Sequence, residues 1–81
     1  MNKRIGVVAI IVEEKDSVIM VNKLLSEFGE IILGRMGVPY KEKHVSVISI
    51  IVDGTTDEIG ALTGKLGRIQ GVTVKSALTK K

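Results

Sequence analysis

Arg35, Tyr40, Lys41, Lys43 and His44 crowd one short segment of the chain. Guanidinium, ammonium and phenol groups supply N–H and O–H donors, the chemistry that holds a carboxylate or a phosphate. Gly34 and Gly37 interrupt what is otherwise an apolar strand, and Pro39 follows. Glycine in such a place permits a bulge or the close approach of another backbone. The same residues also suit an edge strand that uses charge and proline to resist aggregation. A further cation, Lys65, sits in Thr63-Gly64-Lys65-Leu66-Gly67, which lacks the spacing and the strand-to-helix position of a phosphate-binding P-loop. The candidate ligand contacts are Arg35, Tyr40, Lys41, His44 and Lys65.

Catalytic and metal chemistry find little support. His44 is the single histidine, and no spacing assembles a nucleophile, a base and an orienting acid around it. It reads as a strand-edge residue, and no catalytic residue is assigned. There is no cysteine, so neither a disulfide nor a thiolate metal site is available. Glu13, Glu14 and Asp16 cluster in one loop and have oxygen ligands for a hard cation. A solvated loop that places acidic charge at a helix N-terminus is the favoured reading. No metal or cofactor is expected.

The chain of 81 residues has a net charge of +3, but Lys3, Arg4, Lys80 and Lys81 lie at its two ends. Removing these four from the twelve basic residues leaves eight against nine acidic ones. One tyrosine and one phenylalanine provide no set of stacking platforms for bases. Direct binding of nucleic acid is therefore not expected. The apolar runs are too short to span a bilayer, and the first residues lead into a strand without the pattern of a signal peptide. A cytoplasmic protein without membrane contact is the expectation.

The elements that must position these side chains come from an internal repeat. Val7-Val8-Ala9-Ile10-Ile11-Val12-Glu13 recurs as Val47-Ile48-Ser49-Ile50-Ile51-Val52-Asp53. The series Val18, Val21, Leu25, Phe28, Ile31, Leu33 then recurs as Ile59, Leu62, Leu66, Ile69, Val72, Val74. Each copy reads as strand, helix, strand. Strands are expected over 4–13, 30–38, 44–53 and 72–79, and helices from about Ser17 to Phe28 and from Thr56 to Arg68. Asp16 or Ser17 is the expected cap of the first helix, and Thr55 with Glu58 has the spacing of a capping box before the second. Residues 39–43 form the central connection, and Asp53-Gly54-Thr55-Thr56 reads as a turn.

Right-handed crossovers turn this order into an α+β, ferredoxin-like βαββαβ fold: a four-stranded antiparallel sheet with two helices on one face. The repeated strands are its central pair. They are apolar on both sides: Ile5, Val7, Ala9, Ile11, Val45, Val47 and Ile51 on one, Val8, Ile10, Val12, Ile48, Ile50 and Val52 on the other. Two helices cover only one side, so the other predicts a homo-oligomer, a dimer or a tetramer. In the second helix Gly60, Gly64 and Gly67 form a stripe at i, i+4 and i+7, each weakening the helix by about 1 kcal/mol relative to alanine. Such a stripe admits another element close to the helix backbone. Gly60, Gly64, Gly67, Val8, Ile10, Ile48 and Ile50 are the residues assigned to interface or close packing.

The whole chain resembles the small iron-only hydrogenase system regulators. The resemblance is carried by Gly34-Arg35-Met36-Gly37-Val38-Pro39-Tyr40-Lys41, Gly64-Lys65-Leu66-Gly67 and Gly71-Val72-Thr73-Val74-Lys75. It implies a single ACT-like regulatory domain over residues 1–81. At fold level the second half is also similar to ACT domains and to the C-terminal domain of the nickel-responsive regulator, which implies ligand sensing in an oligomer. The nickel ligands of that family do not carry over: the cysteine position falls on Ser46 and the histidine pair on Val38 and Tyr40. Its ribbon-helix-helix DNA-binding segment is also absent, as is the glycine that ACT domains often carry in the first strand-to-helix loop.

These observations favour a non-enzymatic, ligand-sensing regulatory oligomer, with a small-molecule ligand or a protein partner at an interface. A protein–protein assembly or accessory module without a ligand is the alternative. A transcriptional regulator that binds DNA directly comes third.

Overall fold

The computed structural model describes residues 2–80. Six elements follow one another: β1 (Lys3–Val12), α1 (Val18–Glu27), β2 (Ile32–Tyr40), β3 (Val45–Thr55), α2 (Thr56–Gly67) and β4 (Val72–Leu78). The strands form one sheet in the order β2-β3-β1-β4, and every neighbouring pair is antiparallel. This is the ferredoxin-like arrangement that the sequence predicts. No helix among the described residues is long and apolar enough to cross a membrane.

The repeat becomes a pseudo-two-fold axis at the centre of the sheet. Ala9 pairs with Ser49, its own counterpart, and on either side Val7 pairs with Ile51 and Ile11 with Val47. Paired residues of an antiparallel ladder share a face. Val8, Ile10, Val12, Ile48, Ile50 and Val52 therefore line one face together, and all six are buried. Val21 and Leu25 of α1 and Ile59, Leu62 and Leu66 of α2 complete that core.

This settles which face the helices cover. Val8, Ile10, Ile48 and Ile50, assigned above to interface or close packing, are packed inside the subunit and offer no surface to a second one. Both rows are aliphatic, so composition could not tell them apart; the crossovers select the inner row.

The second strands of the two copies differ in register. Between Ile32, opposite Val52, and Gly34, opposite Ile51, strand β2 holds an extra residue, Leu33, in a bulge. Beyond it every residue of β2 moves one place along the ladder. Arg35 faces Ile50, as Val74 faces Ile10 in the other copy. The sequence repeat aligns Val74 with Leu33, two residues earlier. The net displacement is therefore two places and leaves Arg35 on the same side as its repeat counterpart Ser76, which lies opposite Val8. A bulge reverses the facing of all that follows it, and the apolar spacing alone does not reveal it.

Three local expectations also change. The central connection shortens, because Pro39 and Tyr40 still pair with Ser46 and Val45, and a 3-10 turn over Lys41–Lys43 makes the link. Strand β3 runs directly into α2 without a turn. The Thr55–Glu58 capping box holds that junction: the Glu58 N–H donates to Thr55 Oγ1 at 3.1 Å and the Thr55 N–H to Glu58 Oε1 at 2.8 Å. Ser17 stands at the N-cap position of α1 but makes no side-chain capping bond, and the helix is entered through a 3-10 turn at Lys15–Ser17. The buried Ser17 hydroxyl instead donates to the Gln70 carbonyl at 2.8 Å.

That bond belongs to a clamp between the β1–α1 loop and the α2–β4 turn. The Glu13 N–H donates to the Gly71 carbonyl at 2.7 Å, and Gly71 has a φ of 75°. A Cβ at Gly71 would overlap the Glu14 side chain, and it would sit in a left-handed conformation that side chains resist. Gly71→Ala is expected to destabilise the fold by about 2 kcal/mol or more, read from denaturant unfolding. Hydrogen bonds from Thr55 hold the Glu58 carboxyl below its ordinary value. Its contribution to stability is thus complete above that ordinary value, near 4.5, and is lost as pH falls through the lower folded value. In Glu58→Gln, which keeps an acceptor, the acid-side decline in melting temperature should be shallower than in the parent.

Candidate functional site

Strand direction determines which candidate residues meet. Because β1 and β2 both run antiparallel to β3, the ends of β1 and β2 lie beside the start of β3. A cleft of about 500 Å³ opens there. Val12, Pro39 and Val45 give it apolar surface, while Tyr40, Lys41 and His44 contribute from the β2–β3 connection. Across from them stand Glu13 and Lys15 of the β1–α1 loop. Three of the five candidate ligand contacts are thus gathered at one place.

The other two lie elsewhere. The bulge turns Arg35 toward the helical layer, where its Nη2 donates to Asn22 Oδ1 of α1 at 2.7 Å. That bond ties the edge strand to a helix. Lys65 stands on α2 with its ammonium 5.5 Å from the centroid of the Phe28 ring, within cation–π range. It borders a separate groove of about 390 Å³ between the two helices, with Met20, Leu24 and Ile69 as apolar surface and Lys23 and Arg68 beside them.

Lys15 is the cleft residue that sequence reasoning missed. Its loop and the β2–β3 connection are far apart in the chain, and only the antiparallel pairing of β1 with β3 brings them together. The expected strand order contained that signal. The glycine stripe is also located: a Cβ on Gly60, Gly64 or Gly67 would meet nothing within 4 Å, so none of the described elements packs against it. Among the described residues no group of three or more His, Asp or Glu side chains could hold a metal ion.

The second face of the sheet is open. Ile5, Val7, Ile11, Val47 and Ile51 are each 40–51% exposed on the central strands. By register, Met36, Val38 and Tyr40 of β2 extend the same face, with exposures of 70, 51 and 44%. The small residues Ala9 and Ser49 lie at its centre.

Comparison with known proteins follows from this geometry. Over residues 4–76 the sequence matches the family described as "TM1266-like: Iron-only hydrogenase system regulator, putative". The chain belongs to this family. The solved structure of the uncharacterized protein TM1266 from Thermotoga maritima is 40% identical in sequence, with a TM-score of 0.93 over 98% of this chain and 100% of that one. The ACT domain from GTP pyrophosphokinase of Chlorobium tepidum is 22% identical, with a TM-score of 0.79 over 94% of this chain and 100% of that one. CPII, a nitrogen regulatory PII-like protein from Thiomonas intermedia solved with ADP, AMP and bicarbonate, is 19% identical, with a TM-score of 0.52 over 99% of this chain and 96% of that one. The last two likenesses show the fold. No curated protein matches the sequence.

Within this regulator-family chain, His44 has an unusual backbone. It takes φ 57° and ψ 38°, the left-handed region, as its N–H closes the 3-10 turn onto the Lys41 carbonyl at 3.2 Å. A non-glycine residue pays roughly 1 kcal/mol for that conformation, and glycine does not. His44→Gly is therefore expected to leave the melting temperature unchanged or raise it, by up to about 1 kcal/mol of stability. A clear loss of stability would mean that the imidazole itself supports the turn.

Proposed function

We propose that this chain is a non-enzymatic regulatory module of an iron-only hydrogenase system, working as a homo-oligomer built on the helix-free face. The observation that carries the reading is that face. Branched aliphatic side chains from three adjacent strands stand 40% exposed or more on it, a contiguous patch of the kind soluble monomers rarely leave in water.

A second copy of the chain is the occupant. A four-stranded sheet whose strands run from seven to eleven residues presents about 30 by 19 Å, on the order of 600 Å². That approaches the ~800 Å² per partner of stable complexes, and it matches an identical flat surface best. Ala9 and Ser49 at the centre permit close approach of the two sheets. The glycine stripe of α2, lying on a different surface, offers a second contact by which dimers could pair into a tetramer.

Regulation then works by population. A small ligand or a protein partner bound near Tyr40, Lys41 and His44 favours one subunit arrangement over another, to the extent that it binds the two differently. Arg35 and Lys65, engaged with Asn22 and Phe28, are assigned to positioning the edge strand and the helices. Support for a regulatory role comes from the family; support for ligand sensing comes from the cleft. The module is a single domain acting inside the cell.

Sedimentation equilibrium tests the assembly. The parent should be a dimer or a tetramer at micromolar concentration. In Val7→Lys with Ile51→Glu, a cross-strand pair whose opposite charges suit a solvated sheet, a folded monomer is expected, with its helical circular dichroism retained. A monomeric parent would overturn the reading.

A further inference from the structure

We infer that the cleft at the end of the sheet is a binding site for an organic anion: a phosphate or carboxylate carried on an apolar body. This rests on the regulatory reading above and adds the chemical class of its effector.

The argument begins with what converges there. Lys15, Tyr40, Lys41 and His44 all border the same space. Among the described residues none of these four side chains has a hydrogen-bond or ion-pair partner. Glu13 is the acidic residue of the lining, facing two lysines and a histidine. The balance of donors favours a negative group, and lysine ammoniums bind carboxylate or phosphate through charge-assisted hydrogen bonds.

Volume and lining then set the size and character of the occupant. About 500 Å³ is more than an inorganic anion needs and falls within the range of small-molecule sites. Val12, Pro39 and Val45 leave apolar surface that a bare phosphate would not use. An organic body lying over these residues, with its anionic end at Lys15 and Lys41, satisfies both features.

His44 provides an independent indication. The turn would be relaxed with glycine, yet it carries an imidazole at φ 57° on the rim of the cleft. Strain tolerated beside a cavity is what a functional constraint leaves behind. The same conformation separates stability from binding, because the residue best for the fold there is not the residue proposed for the ligand.

Phenyl phosphate, inorganic phosphate and phenol are suitable probes, titrated into the full chain at constant ionic strength and followed by amide nitrogen–proton NMR. Phenyl phosphate should give saturable shifts at residues 12–15 and 40–46. Its affinity should exceed that of inorganic phosphate about tenfold, and phenol should bind more weakly still. Lys15→Glu with Lys41→Glu should weaken phenyl phosphate about tenfold or more while the spectrum stays folded. His44→Gly should weaken it several-fold at undiminished melting temperature.

Absence of saturable shifts up to about 10 mM would overturn the proposal. So would equal binding of phenol, equal binding of inorganic phosphate, or charge-reversed protein that binds as well as the parent. Shifts confined to the groove at residues 20–27 and 65–69 would overturn it too, by moving the site. The assembly is judged separately by sedimentation: a monomer that still binds phenyl phosphate in the cleft would refute the oligomer and keep the site.

Discussion

A sheet has two faces, and two helices on one side of four strands can dry only one of them. In this chain that constraint is acute, because the central strands β1 and β3 are duplicated and carry aliphatic side chains on both faces. Ile10 and Ile50 disappear into the core with no exposed surface, while Ile11 and Ile51, one residue along each strand, remain 40 and 46% exposed. The chemistry of the two rows is nearly the same; only the cover differs. The core, the open face and the end of the sheet where the cleft forms all depend on this asymmetry. A family described by regulation is well served by it, since a fold left apolar on one side is poised to associate.

The same constraint separates the places where function can be sought. The repeat supplies the scaffold symmetrically, so the useful differences between the copies are few. One is the register of β2, with its bulge at Leu33, which sets Arg35 opposite Ile50 and in a bond with Asn22. Another is the β2–β3 connection, whose 3-10 turn places Lys41 and His44 beside the end of β1. A third is the glycine stripe of α2, which no other described element covers. Each departure from symmetry changes what the surface presents to a ligand or a subunit.

Much of this was legible in the residues. The alternation of Val8, Ile10 and Val12 against Val7, Ala9 and Ile11 gave both faces correctly, because strand periodicity is two and the repeat offset is even. The capping box was readable from Thr55 and Glu58 alone, since it is a local exchange of hydrogen bonds over three residues. The candidate cluster was legible only in part. Tyr40, Lys41 and His44 are neighbours in sequence and stay neighbours in space. Arg35 and Lys65 were grouped with them by chemical type, and chemical type carries no information about direction. Ser17 shows the same limit: its hydroxyl suits a helix cap, but burial against the α2–β4 turn gives it the Gln70 carbonyl instead.

The sequence by itself determined the element order, the sheet, the duplicated core and the surplus of apolar surface, because local periodicity and a long repeat fix these without reference to distant partners. Tertiary structure decided which aliphatic row is covered, where Arg35 points and that Lys15 shares a cleft with His44. These depend on crossover direction, on one bulged residue and on the antiparallel pairing of β1 with β3. Each is a relation between segments remote in the chain, and side-chain identity at either segment does not encode it.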